Sequence, residues 1–371
     1  MPDCSLMIKP VSGRCNMRCT YCFYADELKH RPSGVHAAMS GAVLERVVRS
    51  AFAYADGRVA FAFQGGEPSL AGPDYYRELL RLEKKYNSRG LPVSHALQTN
   101  GLDLSGLQDV LREGQFLVGL SVDGTQAIHD TRRVDAEGRG TYARVLATAD
   151  TLRREGIPYN ILCVADDAVA AEATACYREL RRHGYLQFIA CLDPLGQCNT
   201  ALDPARYGRF LIETFRLYAK DFRAGRYVSV RQFDGWLNRL CGHPSGQCGM
   251  NGCCQVSFLV ESNGDVFPCD FYALDEWRLG NIAEASLRKM AGSETARAFV
   301  ESSLPRAKEC DGCRWFSLCR GGCRRDREPF TPGEPLPLNR LCESYRMFFA
   351  ACYDELCELA RLNPPRPPKQ G

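Results

Sequence analysis

Three features of common protein classes are missing from this chain of 371 residues. No apolar run approaches the roughly 18 residues that a membrane span requires. The first residues contain no basic segment followed by an apolar one, so we expect no secretory signal. The net charge is only +3, which gives no reason to expect a nucleic-acid partner or an anionic membrane. Membrane proteins and nucleic-acid-binding proteins are therefore not favoured.

Cysteine is the residue type that the chain has in excess, with 20 in total. In an exported mini-protein this number would indicate disulfides, but without an export signal it favours metal binding or catalysis. Exposed thiolates around metal clusters are readily oxidised. The composition therefore predicts a cytoplasmic metalloprotein that works at low oxygen.

Short apolar runs alternate with longer helical stretches over the first two thirds of the chain. Strands are predicted at residues 5–11, 59–64, 93–98, 116–122, 159–164 and 186–191, and helices at 40–54, 73–87, 142–155 and 168–183. Six βα units predict an α/β fold with parallel strands and helices outside. The chain is then expected to divide into a barrel domain (1–228), a small Cys-rich domain (229–353), and a helix end with a disordered tail (354–371).

The first cysteine motif follows the first predicted strand, with C-x3-C-x2-C spacing at Cys15, Cys19 and Cys22. Three thiolates are one too few for a four-thiolate site, so a cluster bound here keeps one metal position open for chemistry. A zinc knuckle or disulfides could use the same residues. A second motif, Gly65-Gly66-Glu67-Pro68, follows the second strand, and its glycines let the backbone approach a ligand closely.

Together these motifs resemble the radical S-adenosylmethionine (SAM) superfamily, in which an aromatic residue such as Tyr21 is typical before the third Cys. The resemblance implies a partial (β/α)6 barrel whose three Cys hold a [4Fe-4S] cluster, with SAM on the fourth iron. It implies SAM contacts from Tyr21, Gly65, Gly66, Glu67, Ser121, Arg133 and Leu192. Arg132 is adjacent to Arg133, so the resemblance leaves open which of these two arginines contacts SAM.

A second cysteine framework occupies the last third of the chain. Its spacing is Cys254-x9-Gly264-x4-Cys269, then C-x2-C-x5-C-x3-C from Cys310 to Cys323, and finally Cys342. This resembles the seven-Cys SPASM pattern, and an eighth thiol would complete two four-Cys sites. Two structural zinc ions would suit the same ligands.

The resemblance instead implies two auxiliary [4Fe-4S] clusters in this SPASM domain. The first would take Cys248, Cys254, Cys269 and Cys323, and the second Cys310, Cys313, Cys319 and Cys342. Cys253 or Cys241 could replace Cys248 as the eighth ligand.

Asp270 directly follows Cys269, and a carboxylate fixed there suits a general base, although a solvated Asp in a hairpin would look the same. The segments at residues 250–252, 260–266, 268–272, 277–282 and 321–325 resemble the anaerobic sulfatase-maturating enzymes. This implies that hydrogen abstraction from Cβ converts a sulfatase Cys or Ser to Cα-formylglycine. Asp270 would be the base, the first auxiliary cluster the electron acceptor, and a flavodoxin or ferredoxin a reducing partner. Peptide contacts are predicted at Tyr24, Gln64 and Gln98.

Two alternatives remain open at this point. A SPASM maturase that forms thioether cross-links on a ribosomal peptide would share all the cluster Cys, but it normally carries a leader-binding wing, and only 14 residues precede Cys15. A non-catalytic iron–sulfur protein would have no need of the Gly65–Glu67 motif.

Overall fold

Ten strands form one mixed sheet in a computed structural model that describes residues 2–198, 200–328 and 337–362. The strands are β1 (Cys4–Ile8), β2 (Val59–Phe63), β3 (Val93–Thr99), β4 (Leu117–Ser121), β5 (Tyr159–Ala165), β6 (Tyr185–Ala190), β7 (Ser229–Val230), β8 (Phe258–Val260), β9 (Asp265–Phe267) and β10 (Gly280–Asn281). Their order is β10-β9-β8-β1-β2-β3-β4-β5-β6-β7. Strands β1 to β6 are parallel neighbours in chain order, as predicted.

Helices connect the parallel strands and cover one face of the sheet. They are α1 (Phe23–Lys29), α2 (Gly41–Tyr54), α3 (Pro73–Tyr86), α4 (Gln108–Glu113), α5 (Gln126–Arg132), α6 (Tyr142–Arg154), α7 (Asp167–Ala171), α8 (Ala173–Leu180), α9 (Pro204–Arg223), α10 (Arg231–Leu240), α11 (Leu287–Ala291), α12 (Glu294–Glu301), α13 (Phe316–Cys319) and α14 (Cys342–Arg361). Among the described residues, none of these helices combines the length and apolar character that a membrane crossing needs.

Residues alternate along β1, β2, β3 and β6 between a buried face and a more exposed face. Leu6, Phe61 and Leu97 are buried under the helices. Their neighbours Met7, Ala62 and Ala96 are only partly buried. In the register of the sheet, Met7 lies beside Ala62, and Ala62 lies beside Ala96. Since side chains of successive strand residues point to opposite faces, the more exposed face is the inside of the barrel.

Two predicted elements differ from the structure. Strand β1 ends at Ile8 instead of residue 11, because Pro10 has no N–H for a ladder hydrogen bond. The helix predicted at 168–183 is divided into α7, α8 and a 3-10 turn. It breaks at Glu172, whose backbone leaves the helical conformation (φ −112°, ψ 35°).

The predicted Cys-rich domain continues the barrel sheet at both ends. Strand β8 pairs in parallel with β1, and the Lys9 amide donates to the Val260 carbonyl at 2.9 Å. At the opposite edge β7 pairs with β6, and α14 packs along α9. The division at residue 228 stays a prediction, but the sheet has no break there. The tail predicted to be disordered, residues 364–371, lies outside the described residues.

Candidate active site

The Cys15–Cys22 loop packs against the glycine loop that follows β2. Gly66 has φ +55°, and a Cβ there would lie 2.2 Å from the Arg14 carbonyl oxygen and 2.7 Å from that of Ser12. The Glu67 amide donates to the same Arg14 oxygen at 2.8 Å. Only glycine therefore permits this backbone contact, which holds the two motifs together.

The three thiols of this loop fit a shared thiolate site. Burial raises the pKa of Cys19 to about 11, with the nearby Cys22 and Cys15 adding to the rise and Arg133 opposing it. Hydrogen-bond donors are directed at the sulfurs. The Asn100 side chain lies 3.7 Å from the Cys15 Sγ, and the Arg133 Nη1 lies 3.8 Å from the Cys19 Sγ. Donors around thiols are what a thiolate-bound cluster requires.

Glu67 is engaged by protein groups. It is 1% exposed, and its carboxylate accepts from the Ser69 amide at 3.0 Å, the Thr99 hydroxyl at 2.8 Å and the Asn100 amide at 2.7 Å. Burial raises the pKa of Glu67 and these hydrogen bonds oppose the rise. In this structure Glu67 therefore joins the loops after β2 and β3, and its contact with SAM stays a prediction.

Arg133 and Tyr21 share a buried carboxylate that the sequence analysis missed. Asp123 accepts from the Arg133 Nε at 2.9 Å and from the Tyr21 hydroxyl. The neighbouring Arg132 instead pairs with Asp166. Of the two arginines, Arg133 is the one that faces the Cys15–Cys22 loop. The signal for Asp123 was its place two residues after the end of β4.

Two further predicted SAM contacts lie at the same edge of the sheet. Ser121 ends β4 and is 6% exposed, while Leu192 is partly buried two residues after β6. Both are at carboxyl ends of parallel strands, where ligands of such folds bind. Their contacts with SAM stay predictions.

Asp270 lies in a 3-10 turn (Asp270–Tyr272) after β9 and is 9% exposed. Its Oδ1 is 3.0 Å from the Lys9 Nζ, and its Oδ2 accepts from the Gln64 amide. Lys9 is fully buried and was not predicted as a site residue. Its side chain reaches Asp270 by passing Gly65, where a Cβ would lie 2.5 Å from the Lys9 Cγ and Cδ.

The charges around Lys9 stabilise its ammonium group. Burial disfavours the charged form, but Asp270 and the acidic groups of Tyr24, Glu27 and Glu261 outweigh it and raise the pKa of Lys9. The ammonium also lies 3.2 Å from the centroid of the Tyr24 ring, a cation–π contact. The sequence around Lys9 contains no local signal of this role.

The predicted peptide contacts differ in their exposure. Tyr24 is 3% exposed and donates to Glu261, which also pairs with Arg31 at 2.9 Å. In this structure Tyr24 is therefore held with its ring against the Lys9 ammonium group. Gln98 is partly buried on the inner face of the barrel, and Gln64 directs its amide to Asp270. All three peptide contacts stay predictions.

The eight auxiliary thiols form two groups in space, as their mutual effects on pKa show. In the first group, burial raises the pKa of Cys269, with further contributions from Cys323 and Cys248, and Cys248 acts likewise on Cys254. Cys241 instead contacts the Ala360 carbonyl at 3.5 Å. The alternative Cys253 also lies near Cys248.

The second group lines a cavity of about 380 Å³. Cys310, Cys313, Cys319 and Cys342 contribute to its wall, and burial together with the other thiols raises the pKa of Cys319. In the three described ranges no three His, Cys, Asp or Glu side chains converge on a point that could bind a single metal ion. The cavity instead offers four thiols around a volume larger than one ion, which fits a cluster.

Comparisons with known proteins identify the family of this chain. The radical SAM superfamily profile matches residues 10–167, and that of the SPASM iron-sulfur cluster-binding domain matches 252–314. A cysteine-type anaerobic sulfatase-maturating enzyme of Clostridium perfringens is 42% identical, over 97% of this chain and 99% of that protein. A serine-type enzyme of Klebsiella pneumoniae is 31% identical, over 93% and 86%.

A solved structure agrees as well and confirms the fold class. Native anSMEcpe with bound AdoMet and Cp18Cys peptide superposes with a TM-score of 0.92 and 40% identity, covering 97% of this chain and 99% of that one. The chain belongs to the anaerobic sulfatase-maturating enzymes, a family of radical SAM enzymes with a SPASM domain.

Proposed function

We propose that this enzyme oxidises a cysteine or serine side chain of a sulfatase polypeptide to Cα-formylglycine, with cysteine preferred. The observation that carries the proposal is the position of Asp270, which Lys9 and Gln64 hold at the carboxyl end of the parallel strands, beside Cys269. The preference for cysteine is supported by identities of 42% with the cysteine-type relative and 31% with the serine-type one.

The cofactors are SAM and [4Fe-4S] clusters, for which the thiol groups described above are suited. We assign the SAM-site cluster to Cys15, Cys19 and Cys22, and the auxiliary clusters to the two groups of four Cys. We assign SAM itself to Tyr21, Gly65, Gly66, Glu67, Ser121, Arg133 and Leu192. When bound, these cofactors supply the chemistry that removes a hydrogen atom from the target Cβ and accepts one electron.

The residues of the chain manage the proton and the peptide. Asp270 accepts the proton of the target thiol, and Lys9 compensates the charge of Asp270 and fixes its position. Loss of one hydrogen atom, one electron and one proton converts the cysteine to a thioaldehyde. Water then replaces the sulfur and releases hydrogen sulfide, whereas serine would give the aldehyde directly. We assign Tyr24, Gln64 and Gln98 to the peptide.

The test is an anaerobic incubation of the reconstituted enzyme with SAM, dithionite and a sulfatase-derived peptide that carries the target cysteine, followed by mass spectrometry. We expect formylglycine and 5′-deoxyadenosine, and neither product with Cys15→Ala. Asp270→Asn should abolish formylglycine. Asp275→Asn is the matched control, because Asp275 lies in the next turn and contacts Ser33.

Two results would contradict the proposal. SAM cleavage that leaves both the cysteine and the serine peptide unchanged would show that a sulfatase peptide is not the substrate. A thioether cross-link in place of the aldehyde would assign the enzyme to peptide maturation of another kind. A serine version of the same peptide, converted more slowly than the cysteine peptide, would support the stated preference.

The reaction also needs an electron donor for the SAM-site cluster. We assign this role to a low-potential carrier such as a flavodoxin or a ferredoxin in the cytoplasm. The support is chemical, since the unpaired thiols and clusters of this chain require a reducing environment with little oxygen.

A further inference from the structure

Arg324 lies in a cage of three aromatic rings beside the first auxiliary group of thiols. It follows Cys323 directly, begins the 3-10 turn Arg324–Arg327 and is 3% exposed. Its guanidinium carbon lies 4.6 Å from the ring centroids of Tyr272 and Trp277 and 5.1 Å from that of Phe299. Three ring faces around one guanidinium group favour a cation at this position.

The cage is fixed by its own contacts. The Phe299 ring packs edge-on against Tyr272 and Trp277, with centroid distances of 5.2 and 5.5 Å. The Tyr272 hydroxyl donates to Glu328 at 2.6 Å, and that carboxylate lies 3.9 Å from the Arg324 Nε. Tyr272 also belongs to the turn that carries Asp270. The guanidinium therefore has a defined place between Cys323 and the Cys269–Tyr272 turn.

The charge of Arg324 lies between the two segments that carry these thiols. Arg324 is bonded directly to Cys323, and the Tyr272 ring that its guanidinium group contacts lies three residues after Cys269. An arginine side chain is not deprotonated in proteins, so its charge is constant. A [4Fe-4S] cluster becomes more negative by one charge when it is reduced, and a buried cation nearby stabilises that state because solvent screens it little.

We propose that Arg324 sets the reduction potential of the first auxiliary cluster, so that this cluster accepts the electron that leaves the substrate. The inference rests on the proposed function and on ligation of that cluster by Cys248, Cys254, Cys269 and Cys323. A cluster held by these four Cys would take up one electron from the substrate, and Asp270 would accept the accompanying proton. In this proposal Arg324 acts through the cluster, and it is therefore a positioning residue.

The test is a redox titration monitored by electron paramagnetic resonance, without substrate. In the full chain with Cys15, Cys19 and Cys22 replaced by alanine, only auxiliary clusters contribute signals. Arg324→Met should lower the potential of one auxiliary signal by at least 59 mV, a tenfold change in the equilibrium of a one-electron couple. Arg324→Lys keeps the charge and should retain most of the wild-type potential.

The matched control is Arg320→Met. Arg320 follows Cys319 as Arg324 follows Cys323, but it is exposed, so water screens its charge and both potentials should be unchanged. If Arg324→Met loses its iron, Glu328→Gln provides the second measurement. It removes the carboxylate that lies 3.9 Å from Arg324 and should raise the same potential.

Unchanged potentials in Arg324→Met with full iron content would overturn the inference. So would an equal fall in Arg324→Met and Arg324→Lys, because the packing of the cage would then matter and the charge would not. If Arg324→Met loses its iron, an unchanged or lower potential in Glu328→Gln would likewise overturn the inference. The titration contains no peptide, so its outcome is independent of whether formylglycine is the product.

Discussion

Replacing Lys9 by methionine should uncouple SAM cleavage from product formation. The substitution keeps a side chain of similar length and removes the ammonium group that lies 3.0 Å from the Asp270 Oδ1. At 3.0 Å and an effective dielectric constant of about 20, the attraction between the two charges is about 5.5 kcal/mol. Desolvation offsets a large part of this energy, but removal of one partner of a buried pair still costs about 3–5 kcal/mol.

The surroundings of Lys9 increase the effect on Asp270. Glu27 also faces Lys9. It is 3% exposed, and its carboxyl oxygens have no hydrogen-bond partner among the described residues. Lys9→Met therefore leaves two acidic side chains without the ammonium group that faces both. Asp270 then lacks the contact that fixes its position and compensates its charge, so it is poorly placed to take the substrate proton. We expect formylglycine formation to fall by about 100-fold or more.

The assay measures formylglycine and 5′-deoxyadenosine in the same anaerobic incubation, together with the iron content of each variant. We expect 5′-deoxyadenosine to form in Lys9→Met, since the Cys15–Cys22 loop is intact. Lys29→Met is the control, because Lys29 is exposed at the end of α1. A Lys9→Met enzyme with full iron content and wild-type formylglycine formation would refute this account of the base.

Three further predictions concern the loops and helix around the site. Gly65→Ala should abolish formylglycine formation, since its Cβ would lie 2.5 Å from Lys9. The control is Gly72→Ala, which has a similarly positive φ but a Cβ with no atom within 4 Å, and it should stay active. Equal activity of the two variants would contradict the importance of the contact with Lys9. Asp123→Asn should weaken SAM binding about tenfold or more, because its charge-assisted hydrogen bond with Arg133 contributes about 1.5–3 kcal/mol. Equilibrium dialysis measures this affinity, and an unchanged value would contradict the prediction. Burial raises the pKa of Glu27 from 4.5 to about 8, so the folded state holds a proton that the unfolded state releases and stability falls as the pH rises through this window. Relative to wild type, Glu27→Gln should therefore gain stability between pH 4.5 and 8, and parallel urea midpoints across this range would contradict that.

Local patterns in the sequence predicted the fold of the barrel. Alternation of short apolar runs with helical stretches predicted the six parallel strands, because both signals depend on residues close in the chain. The cysteine spacings likewise indicated the candidate ligands, whereas the division of the auxiliary Cys into two groups of four was implied by the family resemblance. The break at Glu172 was missed because a helix period continues through it, while the Asp166 side chain caps only the first segment.

Contacts between distant segments could not be predicted in this way. The pairing of β8 with β1 joins residues about 250 positions apart, and it brings Glu261 to Tyr24 and the Asp270 turn to Lys9. Nothing local to Lys9 distinguishes it from a surface lysine next to a strand. Glu67 was expected to face SAM, and only the tertiary structure shows its carboxylate bonded to Thr99 and Asn100.

The most direct test of the central claim follows one hydrogen atom. The substrate is a sulfatase-derived peptide with deuterium on the Cβ of its target cysteine, and mass spectrometry measures deuterium in the 5′-deoxyadenosine that the enzyme releases. We predict one deuterium in 5′-deoxyadenosine for each formylglycine formed. Unlabelled 5′-deoxyadenosine beside full conversion of the peptide would show that the hydrogen atom leaves another position, and would contradict oxidation by abstraction from Cβ.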